Sequence, residues 1–179
     1  MKIVILSCSL HEASKSRAMA SELEQVWKGD DTLTSELVDL RDLDLPLCDG
    51  GPSYGHPAVV ALNETLASCD ACVFAVPIYN FDLNAAAKNA IEFAGRKLEG
   101  KVAGFLCAAG GHMSYMSIMA AANSLMLDFR TVVVPRFVYA AGNDFPEDGG
   151  LSGAITERIA RFGGEFSALA RAVCECELP

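Results

Sequence analysis

Asp70-Ala71-Cys72-Val73-Phe74-Ala75-Val76 is apolar at every position after its first. An uninterrupted apolar run of strand length is what a strand shows when both of its faces are covered. The segment therefore predicts an interior strand of a parallel sheet. Lys101–Ala108 has the same character, and Lys2–Leu6 is a shorter β-branched version of it. Between these runs the spacing changes from strand to helix. Pro57–Ser68 places Val59, Leu62 and Leu66 on one side, and Asn84–Ala94 is rich in alanine. Ser14–Lys28 carries Met19, Leu23, Val26 and Trp27 at helical spacing, with Gly29 as a natural stop. Leu33–Val38 reads as a second strand, and the Pro-, Gly- and Asp-rich stretch Asp42–Gly55 as a loop. Ser114–Phe129 repeats the helical pattern through Tyr115, Ile118, Met119, Ala122, Leu125 and Met126. Thr131–Val134 is read as the last strand, ended by Pro135. Ser152–Val173 is a long helix with Ile155, Ile159, Phe162, Phe166, Leu169 and Val173 on one stripe, and Gly163-Gly164 is placed to bend it.

Strand and helix alternate five times. Strict alternation implies an α/β fold, a parallel sheet with helices on both faces. For five units in one domain spanning residues 1–179, the expected architecture is the flavodoxin-like three-layer sandwich with strand order 2-1-3-4-5. Ligands in such sheets bind beyond the carboxyl ends of the strands, where strands one and three diverge. The loops after Leu6, Val76 and Ala108 are then the ones to read for chemistry.

The 179 residues are 51% hydrophobic and 21% charged, which excludes a large two-domain dehydrogenase and a small disulfide-stapled scaffold. Fourteen basic against 23 acidic residues give a formal charge of -9, with no basic cluster in the sequence to offset it, so nucleic acid is not an expected partner. The longest apolar runs are strand-length, far below the roughly 20 residues of a spanning helix, and no membrane association is expected. The N-terminus lacks the apolar stretch and cleavage site of a secretory signal. Seven scattered cysteines read as reduced thiols of a cytoplasmic protein. Cys69-x-x-Cys72 has redox spacing, but its second member falls inside a buried strand, whereas thiol exchange needs the pair exposed at a helix start. Cys174-x-Cys176 has no third ligand nearby and makes a poor metal site. No metal is expected.

The first loop, Ser7-Cys8-Ser9-Leu10-His11-Glu12-Ala13-Ser14-Lys15-Ser16-Arg17, contains no glycine. It lacks the G-x-G-x-x-G turn that lets backbone approach a pyrophosphate. Hydroxyls, a histidine and two cations instead surround a helix start, a setting suited to one phosphate monoester. The plainer reading makes Ser14 an N-cap, which accounts for one serine but not for Ser9 and Ser16. In the second loop, Pro77-Ile78-Tyr79-Asn80-Phe81-Asp82, Tyr79 offers an aromatic face and Asn80 both a donor and an acceptor, enough to pack and read the edge of a planar heterocycle. A turn with an interfacial aromatic is the alternative there. The third loop, Ala108-Ala109-Gly110-Gly111-His112-Met113-Ser114, pairs two glycines with a helix start, which suits a close backbone approach or simply a tight turn.

Together these segments carry a resemblance. Ser9-Leu10-His11-x-x-Ser14-x-Ser16 resembles the G-S-L-R-x-x-S-x-N phosphate loop of the NAD(P)H-dependent FMN reductase family, which includes quinone, azo and chromate reductases. Pro77-Ile78-Tyr79-Asn80 with Ala87-Lys88-Asn89-Ala90-Ile91-Glu92 resembles that family's P-x-Y-N…L-K-N-A-I-D motif. The resemblance runs from about Ile3 to Pro135. It implies a flavodoxin-like fold that binds FMN, takes hydride from NADH or NADPH as co-substrate, and passes it to a flavin, quinone or similar small acceptor. It also implies a homodimer or a dimer of dimers. Carried over by position, Ser9, His11, Ser14 and Ser16 would hold the phosphate, and Pro77, Tyr79 and Asn80 the isoalloxazine, with Gly110, Gly111 and His112 on its other side. Cys8 stands where the family has glycine and His11 where it has arginine, a cation that histidine replaces only when protonated. Phe81-Asp82 replaces Gly-Ser and Asn84 replaces proline.

Because a bound flavin supplies the redox chemistry, no catalytic side chain is assigned. Two other functions compete: an electron-carrying flavodoxin, which the acidic charge suits, and a non-catalytic flavin-binding protein. The helix at Ser114, with Met113, Tyr115, Met116 and Met119 around it, is apolar over more than one face, which calls for a second partner besides the sheet.

Overall fold

In the computed structural model residues 1–147 and 150–176 are described, and they form one seven-stranded sheet with helices on both faces. The strands are β1 Lys2–Ser7, β2 Thr34–Asp39, β3 Ala71–Tyr79, β4 Asp82–Leu83, β5 Val102–Ala109, β6 Val132–Val133 and β7 Val138–Ala141. The helices are α1 Lys15–Trp27, α2 Pro57–Ser68, α3 Ala85–Ala94, α4 Met119–Phe129 and α5 Gly153–Glu175. The parallel path is β2-β1-β3-β5-β6, the expected 2-1-3-4-5 order, with β7 also paired to β5 and β4 antiparallel to β3.

The continuous apolar strands divide their side chains by parity. Ile3, Ile5, Val73, Leu106 and Val138 meet Met19 and Leu23 of α1 and Ile155, Ile159, Phe162 and Phe166 of α5. Val4, Leu6, Phe74, Val76, Phe105 and Tyr139 meet α2, α3 and α4 on the other face. This is the double coverage that their uniform hydrophobicity demands. Among the described residues glycine permits close approach at three points, one of them Gly95 against the Phe129 ring. A Cβ on Gly104 would lie 2.7 Å from Phe162 Cζ, and one on Gly163 would lie 3.0 Å from both Leu23 and Val26. The Gly163 contact brings α1 against α5, where Trp27 Nε1–H donates to the Gly163 carbonyl at 3.2 Å. Gly163 thus serves helix packing within the single helix α5.

Three local expectations are corrected. The strand at Thr131–Val134 is not the last: the lane beside β5 stops at Val133 and resumes at Val138, so β6 pairs with Val102 and Ala103 while β7 pairs with Leu106–Ala109. Pro135 sits in the gap and cannot donate to a ladder. Residues 114–118 are not α-helical; a 3₁₀ turn spans His112–Ile118, and α4 begins at Met119. Of the apolar stripe expected there, Ile118, Ala122 and Leu125 are buried, whereas Tyr115, Met119 and Met126 are exposed. The loop at 42–55 contains a further 3₁₀ turn, Pro52–Gly55.

The β3–β4 hairpin was also not anticipated. Tyr79 pairs with Asp82, and the two residues between them, Asn80 and Phe81, have φ of 52° and 64°. Positive φ at both central positions is the requirement of a type I′ turn, which asparagine tolerates and glycine normally completes. Phe81 occupies the glycine position, with its ring 68% exposed. Releasing left-handed strain of roughly 1–2 kcal/mol, offset by roughly 0.4–1 kcal/mol from the freer unfolded chain, should make Phe81→Gly more stable by about 0.5–1 kcal/mol. A urea midpoint at or below that of the parent would show that this turn stores no strain.

All seven cysteines are free. Cys8, Cys69, Cys72 and Cys107 are buried, and loss of hydration raises each thiol above its ordinary value. Cys48 is half-buried, and Cys174 and Cys176 are exposed. An aromatic disulfide reagent at pH 8 should therefore titrate Cys48, Cys174 and Cys176 in the native protein and the other four only after unfolding. A fourth fast thiol would contradict the interior placement of the Cys69-x-x-Cys72 pair.

Candidate functional site

β1 leads through its loop into α1 on one face of the sheet, while β3 leads through the hairpin into α3 on the other. The two strands are neighbours, so their carboxyl ends open a crevice between the diverging chains. Its two lips are tied together below. The Cys8 N–H donates to the Ala75 carbonyl at 2.9 Å, and Asn84 Nδ2 donates to the Cys8 carbonyl at 2.7 Å. The Asn84 N–H also donates to the Pro77 carbonyl at 3.2 Å. Asn84 is 6% exposed, and its Oδ1 is buried without a partner. This brace stands where only a departure from a family proline was read. Asparagine's frequency at helix starts was the signal available, although its side chain here makes no cap.

On the α1 side the loop is built from its own hydrogen bonds. Ser9 Oγ accepts the His11 N–H at 3.2 Å, and His11 Nδ1 accepts the Ala13 N–H at 3.1 Å. That second bond leaves the proton of a neutral imidazole on Nε2, which makes the ring a donor without requiring a charge. Ser14 is the N-cap: its Oγ accepts the Arg17 N–H at 3.1 Å. It also lies 3.1 Å from Oγ of Ser16, which is 1% exposed. With the Arg17 N–H capped, the N–H groups of Lys15 and Ser16 remain as helix-start donors without intrahelical acceptors.

The cations of this loop are engaged elsewhere. Arg17 Nη1 meets Asp39 Oδ2 at 2.7 Å, and Arg41 Nη2 meets the same oxygen at 2.8 Å. Asp39, at the end of β2, is 5% exposed and holds both guanidinium groups at the base of the loop. Lys15 Nζ lies 4.8 Å above the Phe145 ring. The loop therefore offers an anion hydroxyls, amides and a helix terminus before any side-chain ion pair.

Across the crevice stand Pro77, Ile78, Tyr79 and Asn80, and Ala108–Gly110 forms the floor, all facing one cleft of about 700 Å³. That volume lies within the range of small-molecule and cofactor sites. Space for a Cβ at Gly110 is open within 4 Å. Of the residues singled out in the sequence, the cleft gathers Ser9, His11, Ser14, Ser16, Pro77, Tyr79, Asn80 and Gly110. Gly111 and His112 lie outside its lining; Gly111 instead accepts the Tyr139 O–H through its carbonyl, and His112 is exposed at the start of the 3₁₀ turn. Lys15, one of the two cations read at the helix start, also lines the cleft, whereas sequence reading did not single out Ile78, Ala108 and Ala109. Among the described residues no aspartate or glutamate lines the cleft, in a chain that has 23 of them. An anion next to a flat, half-apolar ring fits such a cavity. Among the described residues no cluster of acidic, histidine or cysteine side chains could hold a metal, and no helix is long and apolar enough to cross a membrane.

Comparison with known proteins gives the fold and the family. A flavoenzyme NAD(P)H:(acceptor) oxidoreductase from Paracoccus denitrificans superposes with a TM-score of 0.77 at 20% identity, covering 96% of this chain and 97% of that one. An oxidised flavodoxin from Bacillus cereus superposes with a TM-score of 0.65 at 16% identity, covering 94% and 98%. Both likenesses establish the flavodoxin-like fold. In sequence, the NAD(P)H-dependent FMN reductase of Pseudomonas aeruginosa is 33% identical over 116 residues, so the match spans 62% of this chain and 61% of that relative's length. Residues 1–146 match the family described as NADPH-dependent FMN reductase, and the chain belongs to that family.

Proposed function

We propose that this protein is an NAD(P)H-dependent FMN oxidoreductase that passes hydride from a nicotinamide donor to a flavin, quinone or similar small acceptor. The observation that carries the reading is the cleft itself: an anion-compatible serine loop faces Tyr79 and Asn80 across a cavity whose wall, among the described residues, holds no carboxylate. In this reading Ser9, His11, Ser14 and Ser16 surround the FMN phosphate, while Pro77, Tyr79 and Asn80 contact the isoalloxazine and Gly110 approaches its far side, with Gly111 and His112 beyond the cleft lining. Bound FMN supplies hydride acceptance and donation. The chain's own residues supply position. The Ser14 and Ser16 hydroxyls and the helix-start amides fix the phosphate, and so set how deep the ring sits. Ile78, Ala108 and Ala109 keep that end of the cleft apolar. Asn80, in the hairpin turn and lining the cleft, carries an amide able to donate and accept at a ring edge.

The same reading places residues 1–179 in one domain, in the cytoplasm, where seven free thiols are stable. It also makes the protein a homodimer or dimer of dimers. Met113 is 89% exposed, Met116 62% and Leu127 77%, and with Met119 and Met126 they form an apolar surface from the 3₁₀ turn along α4. A continuous surface of this kind is what a subunit contact covers, and α3 is expected near its margin.

The decisive measurement is the visible spectrum of the purified protein with added FMN, followed by NADH and NADPH oxidation with and without a quinone. Flavin uptake with turnover is expected. Uptake without nicotinamide oxidation would make the protein a carrier, and no uptake would remove it from flavin chemistry. FMN should bind more tightly than riboflavin. Ser14→Ala with Ser16→Ala should shrink that preference by about 1–3 kcal/mol, since two hydrogen bonds to a charged group are lost, while riboflavin affinity barely changes. A double variant that discriminates as well as the parent would place the phosphate elsewhere.

Light scattering at micromolar concentration should give at least twice the chain mass. Met113→Glu with Met116→Glu should lower it toward the monomer; an unchanged assembly would mean that the contact uses another face.

A further inference from the structure

A second cleft, of about 240 Å³, lies at the outer edge of the sheet, between β7 and the first half of α5. Arg136, Arg158 and Arg161 line it, with Tyr115 and Phe137 as its aromatic wall and Glu165 as its one carboxylate among the described residues. Arg136 comes from the gap between β6 and β7 that Pro135 opens. Arg158 and Arg161 are three residues apart on α5, which puts them on one helix face. Ion pairs among the described residues involve Lys2, Arg17, Arg41, Lys88 and Arg171, and none of them involves a cleft arginine. In a chain with 23 acidic and 14 basic residues, three guanidinium groups share one cavity, and no carboxylate among the described residues is paired to any of them.

The walls are set in advance. Arg158 Nη1 donates to the Tyr139 carbonyl at 3.1 Å. Tyr115 stacks on Phe137 with centroids 4.8 Å apart and meets Tyr139 edge-on at 5.4 Å. Tyr139 is itself fixed, through its hydroxyl, to the Gly111 carbonyl. Guanidinium groups recognise planar or tetrahedral oxyanions by paired N–H donors, and walls that need no reordering lower the cost of binding. With Glu165 counted, the cleft retains a net charge of about two positive units. We propose that it is a binding site for one small oxyanion, a phosphate or carboxylate, separate from the cleft between β1 and β3. Its volume is about a third of that cleft's, which admits inorganic phosphate or a small phosphate ester but not a nucleotide.

The test is calorimetric titration of inorganic phosphate, and separately of phenyl phosphate, into the protein in excess FMN at constant ionic strength. Excess FMN occupies the serine loop, which also suits phosphate. One saturable site per chain is expected. Arg136→Gln with Arg161→Gln should weaken it at least tenfold, leaving Arg158 in place to hold Tyr139. Lys28→Gln with Arg130→Gln, which removes the same charge elsewhere, should leave it unchanged. Circular dichroism and FMN uptake establish that both double variants are folded. Tighter binding of phenyl phosphate identifies an organic ester lying on the Tyr115–Phe137 wall, and equal binding identifies the free ion. The proposal is overturned by absence of saturable binding of either probe, by binding that survives in the cleft variant, or by equal loss in both double variants.

Discussion

Two adjacent parallel strands whose chains leave for opposite faces of the sheet cannot close the space above them. That constraint, at the carboxyl ends of β1 and β3, is what the rest of the molecule is arranged around. The crevice exposes polar backbone at the ends of buried strands, and the structure answers with cross-ties rather than by filling it. Asn84 holds the two lips at a fixed separation from beneath, through Cys8 on one side and Pro77 on the other. Asp39 steadies the α1 lip from the side by gripping Arg17 and Arg41. A buried carboxylate shared by two guanidinium groups is neutralised locally, so the negative charge of β2's end is not projected into a cleft suited to an anion.

The parts of the fold legible in the sequence are those governed by burial over a whole element. Ala71–Val76 and Val102–Ala108 read as interior strands, and α2 and α5 followed from their apolar stripes. The parts that were not legible depend on events at single residues. Pro135 interrupts the outer lane, but the four residues that resume it, Val138–Ala141, are too few for periodicity to register. The β3–β4 hairpin was hidden because phenylalanine stands where a type I′ turn normally shows glycine. The 3₁₀ turn at His112–Ile118 keeps a helical spacing of apolar residues without being an α-helix, so its pattern misled about both its form and its buried face.

At the site the same division holds. The serines and the Tyr79-Asn80 pair were recognisable because residue type alone implies their chemistry. Asn84, Asp39 and Ala108–Ala109 were not, because their contribution comes from where the topology carries them. Arg17 shows the difference sharply. Read in sequence it is a cation at an anion loop; in the structure its guanidinium is committed to Asp39. His11 changes in the same sense, since the hydrogen bond from Ala13 presents it as a neutral donor.

The interrupted outer lane also bears on how this protein avoids aggregation. An open sheet exposes unpaired N–H and C=O groups along its last strand, a template on which another chain can add. Here that template is cut into pieces of two and four residues by a proline. Arg158, reaching from α5, occupies the Tyr139 carbonyl in the longer piece. Foreign strands thus find no uninterrupted ladder on this border, and the chain can display a broad methionine-rich surface along α4 without also offering a sheet edge beside it on which disordered strands could grow.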